Sequence, residues 1–264
     1  MGKWTEDLAL AHALADTADA ISTARFRAAD LLVETKPDLS PVTDADRAVE
    51  DAVRRTLATE RPDDTIIGEE TGVTGGANTS RAWIVDPIDG TKNFVRGVPV
   101  WATLVALRVD GTVVVGVVSA PALGRRWWAA RDDGAWTSSP AGPRRLAVSR
   151  VASLDGAFVS YSSLGGWHAQ GRLPALLTLA DQAWRTRGFG DFWSHVLVAE
   201  GAVDVSCEPV VSLWDLAALQ PIIEEAGGRF SDLSGLARPD GGSVVCSNGL
   251  LHDEVLRALG QPPA

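Results

Sequence analysis

Asp86 and Asp89 stand three residues apart in the stretch Trp83-Ile-Val-Asp-Pro-Ile-Asp-Gly-Thr-Lys-Asn-Phe94, with Pro87 between them. Two carboxylates around a proline-fixed bend can aim at one hard cation, which takes oxygen ligands. Gly90 and Thr91 follow, where a turn should open a helix, and backbone N–H groups at such a turn form an anion site. A cation site and an anion site side by side suggest a metal-bound phosphate. More acids lie within reach of this idea. Glu69 and Glu70 end an apolar segment; adjacent carboxylates at a strand end point in roughly opposite directions, so one can face a site while the other takes solvent or a supporting role. Thr43 with Asp46 resembles a capping box, in which Asp44 and Asp46 either complement the helix dipole or send one carboxylate toward the metal.

The elements that must position these groups are readable from periodicity and turn residues. Residues 5–27 are Ala/Leu-rich at helical spacing, with Thr5 as N-cap. Two prolines make 35–43 a loop or edge, and a helix should run over 44–60. Residues 65–70 and 83–85 read as short strands, and 72–80 (GVTGGANTS) as a flexible loop. Asp110-Gly111 signals a hairpin between strands at 101–109 and 112–119. A further strand is expected at 125–131. Beyond Pro140–Pro143, a candidate boundary, strands are expected at 157–162, 185–189, 203–208 and 243–247. Helices are expected at 173–184, 191–200 and 250–259. The helix starting at Trp214 carries Asp215, should bend or lose a turn at Pro221, and ends at Gly227-Gly228. Strands alternating with helices imply layered α/β packing. A chain of 264 residues can form one large domain, with halves of about 1–145 and 146–264.

Composition narrows the partners. The net charge of −10 disfavours nucleic acid and anionic membranes, both of which demand a basic face. Two cysteines in unrelated contexts fit neither a disulfide framework nor a zinc site, and no apolar run approaches membrane-spanning length. The expectation is a cytoplasmic, soluble protein. The ten tryptophans are scattered and read mainly as core or interface anchors. His12, His168 (in a Gly-rich loop), His195 and His252 read as structural.

Three segments, Gly68-Glu69-Glu70, Asp86-Pro-Ile-Asp-Gly-Thr91 with Asn93-Phe94, and Trp214-Asp-Leu-Ala-Ala218 running into Glu225-Ala-Gly-Gly228, resemble the inositol monophosphatase superfamily in order and separation, over essentially the whole chain. The resemblance implies a five-layered α-β-α-β-α sandwich of the inositol monophosphatase/fructose-1,6-bisphosphatase type. It also implies a lithium-sensitive phosphatase using two to three Mg²⁺ ions, and a homodimer, for which tryptophans exposed in the 125–136 hairpin could serve. It makes Glu69, Asp86, the Ile88 carbonyl, Asp89 and Asp215 metal ligands, with Asp46 beside a third metal. It makes Thr91, partnered by Asp46, the hydroxyl that positions the water, with Glu69 also catalytic. The Gly90 and Thr91 N–H groups would hold phosphate, and Lys36 falls near the phosphate loop. Physically, two Mg²⁺ ions about 3.5–4 Å apart clamp phosphoryl oxygens and activate a water for in-line attack. An oxygen-only donor set suits Mg²⁺ rather than zinc.

Specificity should come from the second half. Arg187, Gly190 and Asp191 align with a substrate-contacting turn, and Glu208 with a position near the leaving alcohol. Inositol-type members usually carry a small or hydroxyl residue where Asp191 stands. A carboxylate there favours a cationic group, although Asp191 also fits a helix N-cap. The string Gly190-Asp191-Phe192, with Trp101 and Trp127-Trp128, resembles the histidinol-phosphatase branch, and two acids facing the alcohol suit L-histidinol phosphate. The alternatives are an inositol-1-monophosphatase or broader sugar-phosphate phosphatase, and a non-catalytic metal-binding homologue.

Overall fold

The computed structural model describes residues 2–37, 39–76 and 78–260. In chain order these form α1 (Thr5–Arg25), β1 (Val33–Thr35), β2 (Pro41–Thr43), α2 (Asp44–Glu60), β3 (Asp64–Gly68), β4 (Gly72–Thr74), β5 (Asn78–Asp89), α3 (Thr91–Val95), β6 (Ala102–Val109), β7 (Thr112–Ala120), β8 (Arg125–Ala130), β9 (Ala135–Thr137) and β10 (Arg144–Arg145). There follow β11 (Phe158–Tyr161), α4 (Leu164–Ala169), α5 (Leu173–Gln182), β12 (Arg185–Arg187), α6 (Asp191–Ala199), β13 (Val205–Glu208), α7 (Leu213–Ala217), α8 (Leu219–Glu225), β14 (Arg229–Ser231), β15 (Val244–Ser247) and α9 (His252–Gly260).

Three apolar cores make five layers of these elements. Leu14, Ala15 and Ala18 of α1, with Val49, Val53 and Leu57 of α2, bury against Trp83, Val85, Val105 and Val115 on one face of the first sheet. The opposite face of that sheet, through Ile84, Leu104 and Val118, packs on Phe192 and Val196 of α6 and on Leu216, Leu219 and Ile222 of α7 and α8. The same middle layer reaches Val244 and Cys246 of the second sheet. That sheet's outer face, with Val159, Val205 and Cys207, is covered by Trp167, Leu176, Leu179, Val255 and Leu259. Alternating strand residues thus serve both faces, as the two-residue period requires. The result is the expected α-β-α-β-α sandwich.

The first sheet runs β10-β9-β8-β7-β6-β5-β3-β4, with β3 and β5 parallel and every other pair antiparallel. The second runs β12-β11-β13-β15-β14, mixed in direction, and β1 pairs with β2 in a separate hairpin. Asp110 and Gly111 both take positive φ, 49° and 80°, at the turn joining β6 to β7, as a tight hairpin demands.

Several local readings change. Trp4, not Thr5, precedes the first helix as its N-cap residue. The expected short strand at 83–85 is part of a long one, and the expected loop at 72–80 contains β4 and the start of β5, with Ala77 outside the described residues. Sheet pairing to β3 supplied what the Gly/Thr-rich composition hid. His168 lies on a short helix, because burial of Trp167 pins the segment to the core on the outer face of the second sheet. Trp127 is fully buried, and Trp128 packs edge-on against His12 at 5.1 Å, so the 125–136 hairpin does not offer exposed tryptophans for a dimer. The helix after Trp214 divides at Ala218, three residues before Pro221, which lacks the N–H needed to continue the ladder.

Candidate active site

The centre of the site is a bulge in β5. Asp86 pairs with Leu104 of β6 and Asp89 with Ala102, so three steps on one strand match two on the other. Residues three apart on a regular strand point to opposite faces; one extra residue returns the second to the face of the first. Thr103 fixes the bulge by donating its hydroxyl to the Pro87 carbonyl at 2.7 Å. The chain then turns at Gly90, whose φ of 84° would strain any side chain and whose added Cβ would lie 3.1 Å from the Val100 carbonyl oxygen.

Asp215, at the first turn of α7, completes the cluster: carboxylate oxygens of Asp86, Asp89 and Asp215 lie within 4.8 Å of one another. A backbone N–H engages one oxygen of each. Ile88 N–H donates to Asp86 at 3.0 Å, Phe192 N–H to Asp89 at 2.6 Å, and Ser212 N–H to Asp215 at 2.7 Å. A carboxylate has about four lone-pair sites, so each acid is oriented and still able to ligate a cation. Burial, and then repulsion from Glu69, Asp89 and Asp215, holds Asp86 well above the usual carboxylate range. Burial and the neighbouring Asp191 and Asp215 do the same to Asp89. Asp215 is pushed up to about 7, chiefly by burial and then by Glu69 and Glu208 against the Ser212 N–H. Buried acids that repel one another, all offering oxygen, are a donor set that fits a hard divalent cation.

Asp46 and Thr91 sit beside this trio. Asp46 accepts the Thr43 N–H at 2.8 Å and the Thr43 hydroxyl, closing the expected capping box. Its other oxygen is 3.4 Å from the Thr91 hydroxyl, which also donates to the Ile88 carbonyl at 2.9 Å. Burial raises Asp46 to about 6 against the bonds from Thr43.

Glu69 and Glu70 do not diverge. Both accept from Lys36 Nζ, at 2.8 and 2.7 Å, because the chain leaves β3 after Gly68 and the strand alternation no longer applies. Burial raises Glu70 to about 7, opposed by Lys36. Sequence reasoning missed Glu50, a buried residue of α2 that holds this turn. It accepts the Glu70 and Thr71 N–H groups at 2.8 and 3.0 Å and the Arg54 Nε–H at 2.9 Å. Its position seven residues after Thr43, on the face of Asp46 and Val53, was the available signal.

The second half supplies the other wall of a cleft of about 820 Å³, lined by Glu69, Asp86, Asp89, Thr91, Gly190, Asp191, Glu208 and Asp215 among others. Asp191 does not cap its helix. Gly190 is the N-cap residue, and a φ of 49° at Asp191 turns its carboxylate back toward Asn93, whose amide it meets at 3.2 Å. Asp191 is pushed up to about 6 by burial and by Glu208, opposed by His195 and Lys92. Arg187 is not among the cleft-lining residues; it is exposed on the edge strand β12 with its guanidinium on the Thr186 carbonyl. The two-residue alternation of β12 placed it away from the turn that Gly188–Gly190 carries into the cleft.

Known proteins resemble this chain in sequence and in fold. The chain is 60% identical over 256 residues to a histidinol-phosphatase of Mycobacterium tuberculosis, covering 96% of this chain and 98% of that one. It is 54% identical to a histidinol-phosphatase of Streptomyces coelicolor, covering 99% of each. The fold matches the solved inositol monophosphatase of Zymomonas mobilis with a TM-score of 0.87, at 31% identity and over 99% of this chain and 100% of that one. The model of the inositol monophosphatase family matches residues 3–262, and the chain belongs to that family.

Proposed function

We propose that this chain hydrolyses L-histidinol phosphate to L-histidinol and phosphate, with Mg²⁺ as its cofactor. The observation that carries the substrate is the pair Asp191 and Glu208, which line the same cleft as the metal-site carboxylates. Two acids at the alcohol end favour an aminoalcohol with an imidazole over a neutral polyol. The two relatives named histidinol-phosphatase support the same reading.

Glu69, Asp86, the Ile88 carbonyl, Asp89 and Asp215 would hold two Mg²⁺ ions, with Asp46 beside a third. Bound there, the ions supply charge neutralisation for a phosphate dianion and lower the pKa of a water nucleophile. The protein's own groups do the rest. Gly90 and Thr91 N–H groups donate to the phosphoryl oxygens at the start of α3. The Thr91 hydroxyl, directed by Ile88 O and Asp46, orients the attacking water in line with the leaving alcohol. Asp191 and Glu208 bind the departing alcohol's cationic groups.

The test is phosphate release from L-histidinol phosphate and from inositol 1-phosphate, side by side, with and without Mg²⁺, for the parent chain and Asp191→Ser. The expected result is Mg²⁺-dependent preference for histidinol phosphate, lost on substitution. Equal turnover of both by the parent chain, or an Asp191→Ser variant with unchanged preference, would overturn the substrate assignment. Inhibition by Li⁺ is expected in the same assay. A homodimer is the expected assembly, and light scattering of the parent chain reads this. A cytoplasmic setting belongs to the same reading; no helix among the described residues is long and apolar enough to cross a membrane.

A further inference from the structure

Behind the cleft wall, α6 buries a histidine that the reaction does not use. His195 is 2% exposed and is absent from the residues lining the cleft. Its Nε2 lies 3.1 Å from Glu208 Oε1, and its Nδ1 lies 2.8 Å from the Ser206 hydroxyl. Ser206 and Glu208 are two apart on β13, so they present the same face to the ring, one to each nitrogen.

An ionised carboxylate only accepts, so Nε2 carries the proton and donates to Glu208. The Ser206 hydroxyl is the hydrogen-bond partner of Nδ1 and fixes the ring plane. An apolar side chain would fill this site without the desolvation that a buried polar pair costs. What the polar pair adds is direction. Glu208 has three rotatable side-chain bonds. With Oε1 tied from behind, the carboxylate meets the cleft through its second oxygen.

We propose that His195 is a positioning residue for substrate discrimination: clamped by Ser206, it locks Glu208 so that one oxygen is presented as a fixed acceptor to a donor on the leaving alcohol. The inference rests on the reading that Glu208 faces that alcohol. Burial opposes protonation of the ring, but the Cys246 sulfur and the Glu208 carboxylate raise it to about 10. Glu208 thus adds hydrogen-bond direction to the attraction that it and Asp191 exert on positive charge.

Two substitutions of the same character separate this role from packing. The amide nitrogen of His195→Gln can take the place of Nε2, whereas His195→Asn reaches only the Nδ1 position toward Ser206. Steady-state kinetics with histidinol phosphate and inositol 1-phosphate are measured for both, for Glu208→Gln, and for the double variant His195→Asn/Glu208→Gln. His195→Asn is expected to raise KM for histidinol phosphate roughly 10- to 100-fold, the effect of losing one charge-assisted contact. Its kcat and its inhibition by inorganic phosphate should stay within about twofold, the range in which no contact to the reacting atoms has been lost. His195→Gln should restore most of the KM, and His195→Asn should add nothing in the Glu208→Gln background. If Glu208→Gln raises KM and His195→Asn does not, or if His195→Asn costs as much in the Glu208→Gln background, the positioning role is wrong while the reading of Glu208 stands. If Glu208→Gln leaves KM for histidinol phosphate unchanged, that reading fails and takes the proposal with it.

Discussion

Asp89 accepts the backbone N–H of Phe192 at 2.6 Å, across 103 residues of chain and between the first sheet and the helix that opens the substrate wall. One carboxylate thus caps α6 with one oxygen while belonging to the cluster with Asp86 and Asp215. The contact ties the position of Asp191, the next residue back, to the geometry of the cluster. The wall proposed to select the alcohol and the acids that would hold Mg²⁺ are joined by this hydrogen bond.

Asp89→Asn and Asp89→Ala should therefore differ. Asparagine can still accept the Phe192 N–H, so metal-free Asp89→Asn should be at least as stable as the parent while losing Mg²⁺-dependent turnover. Alanine leaves a buried N–H unpaired and should be less stable than Asp89→Asn by about 1–3 kcal/mol. Urea denaturation in chelator, with Mg²⁺ titration of each variant, measures both. Equal stability of the two would mean that the cap does not hold the halves.

Metal-free protein should grow less stable as pH rises from about 4 to about 7. Asp46 and Asp191 are raised to about 6, and Glu70 and Asp215 to about 7. Each is harder to ionise folded than unfolded, where carboxyl groups titrate near 4. The folded state therefore binds more protons in that window, and stability falls with pH through it. Mg²⁺ should reverse the slope by favouring the ionised acids. Melting temperatures across pH 5–8, with chelator and with Mg²⁺, decide this; parallel profiles would contradict it.

Glu50→Gln should weaken Mg²⁺ without touching it. A glutamine presents one acceptor and one donor to the two N–H groups of Glu70 and Thr71, so the turn carrying Glu69 shifts. Supporting residues of this kind typically cost about 10–100-fold in metal affinity or activity. Gly68→Ala should act alike, since its Cβ would lie 2.5 Å from the Glu50 carboxylate. The readout is the Mg²⁺ concentration at half-maximal activity.

Gly116→Ala tests the seating of α7. An added Cβ would lie 2.2 Å from the Ala218 carbonyl oxygen, at the break between α7 and α8. Moving that joint displaces Asp215 upstream. A loss of about 1–3 kcal/mol is expected from overpacking, with weaker Mg²⁺ dependence alongside. Unchanged melting and unchanged Mg²⁺ activation would show that the joint yields freely.

Asp191→Gly should exchange function for stability. A non-glycine residue at a φ of 49° carries roughly 1 kcal/mol of strain. Glycine relieves it and removes a buried carboxylate. A higher melting temperature with lost preference for histidinol phosphate is expected; a lower one would show that the bond from Asn93 outweighs the strain.

The sequence by itself determined what is local: the capping box at Thr43 and Asp46, the Asp110-Gly111 hairpin, the break before Pro221, and Asp86 and Asp89 as a pair beside Gly90. Caps, turns and proline act within a few residues of their own chemistry, so they are legible in a string. The family motifs extended this to Asp215 and Glu69. Only the tertiary structure decided that a bulge, measured against β6, puts Asp86 and Asp89 on one side. It also decided that Lys36 gathers both glutamates, that Glu50 holds their turn, and that Asp191 faces Asn93 instead of its own helix. Arg187 fell outside the cleft and His195 behind it for the same reason. Strand register and the packing of three cores set which side chains meet across tens to a hundred residues, and no local preference encodes those meetings.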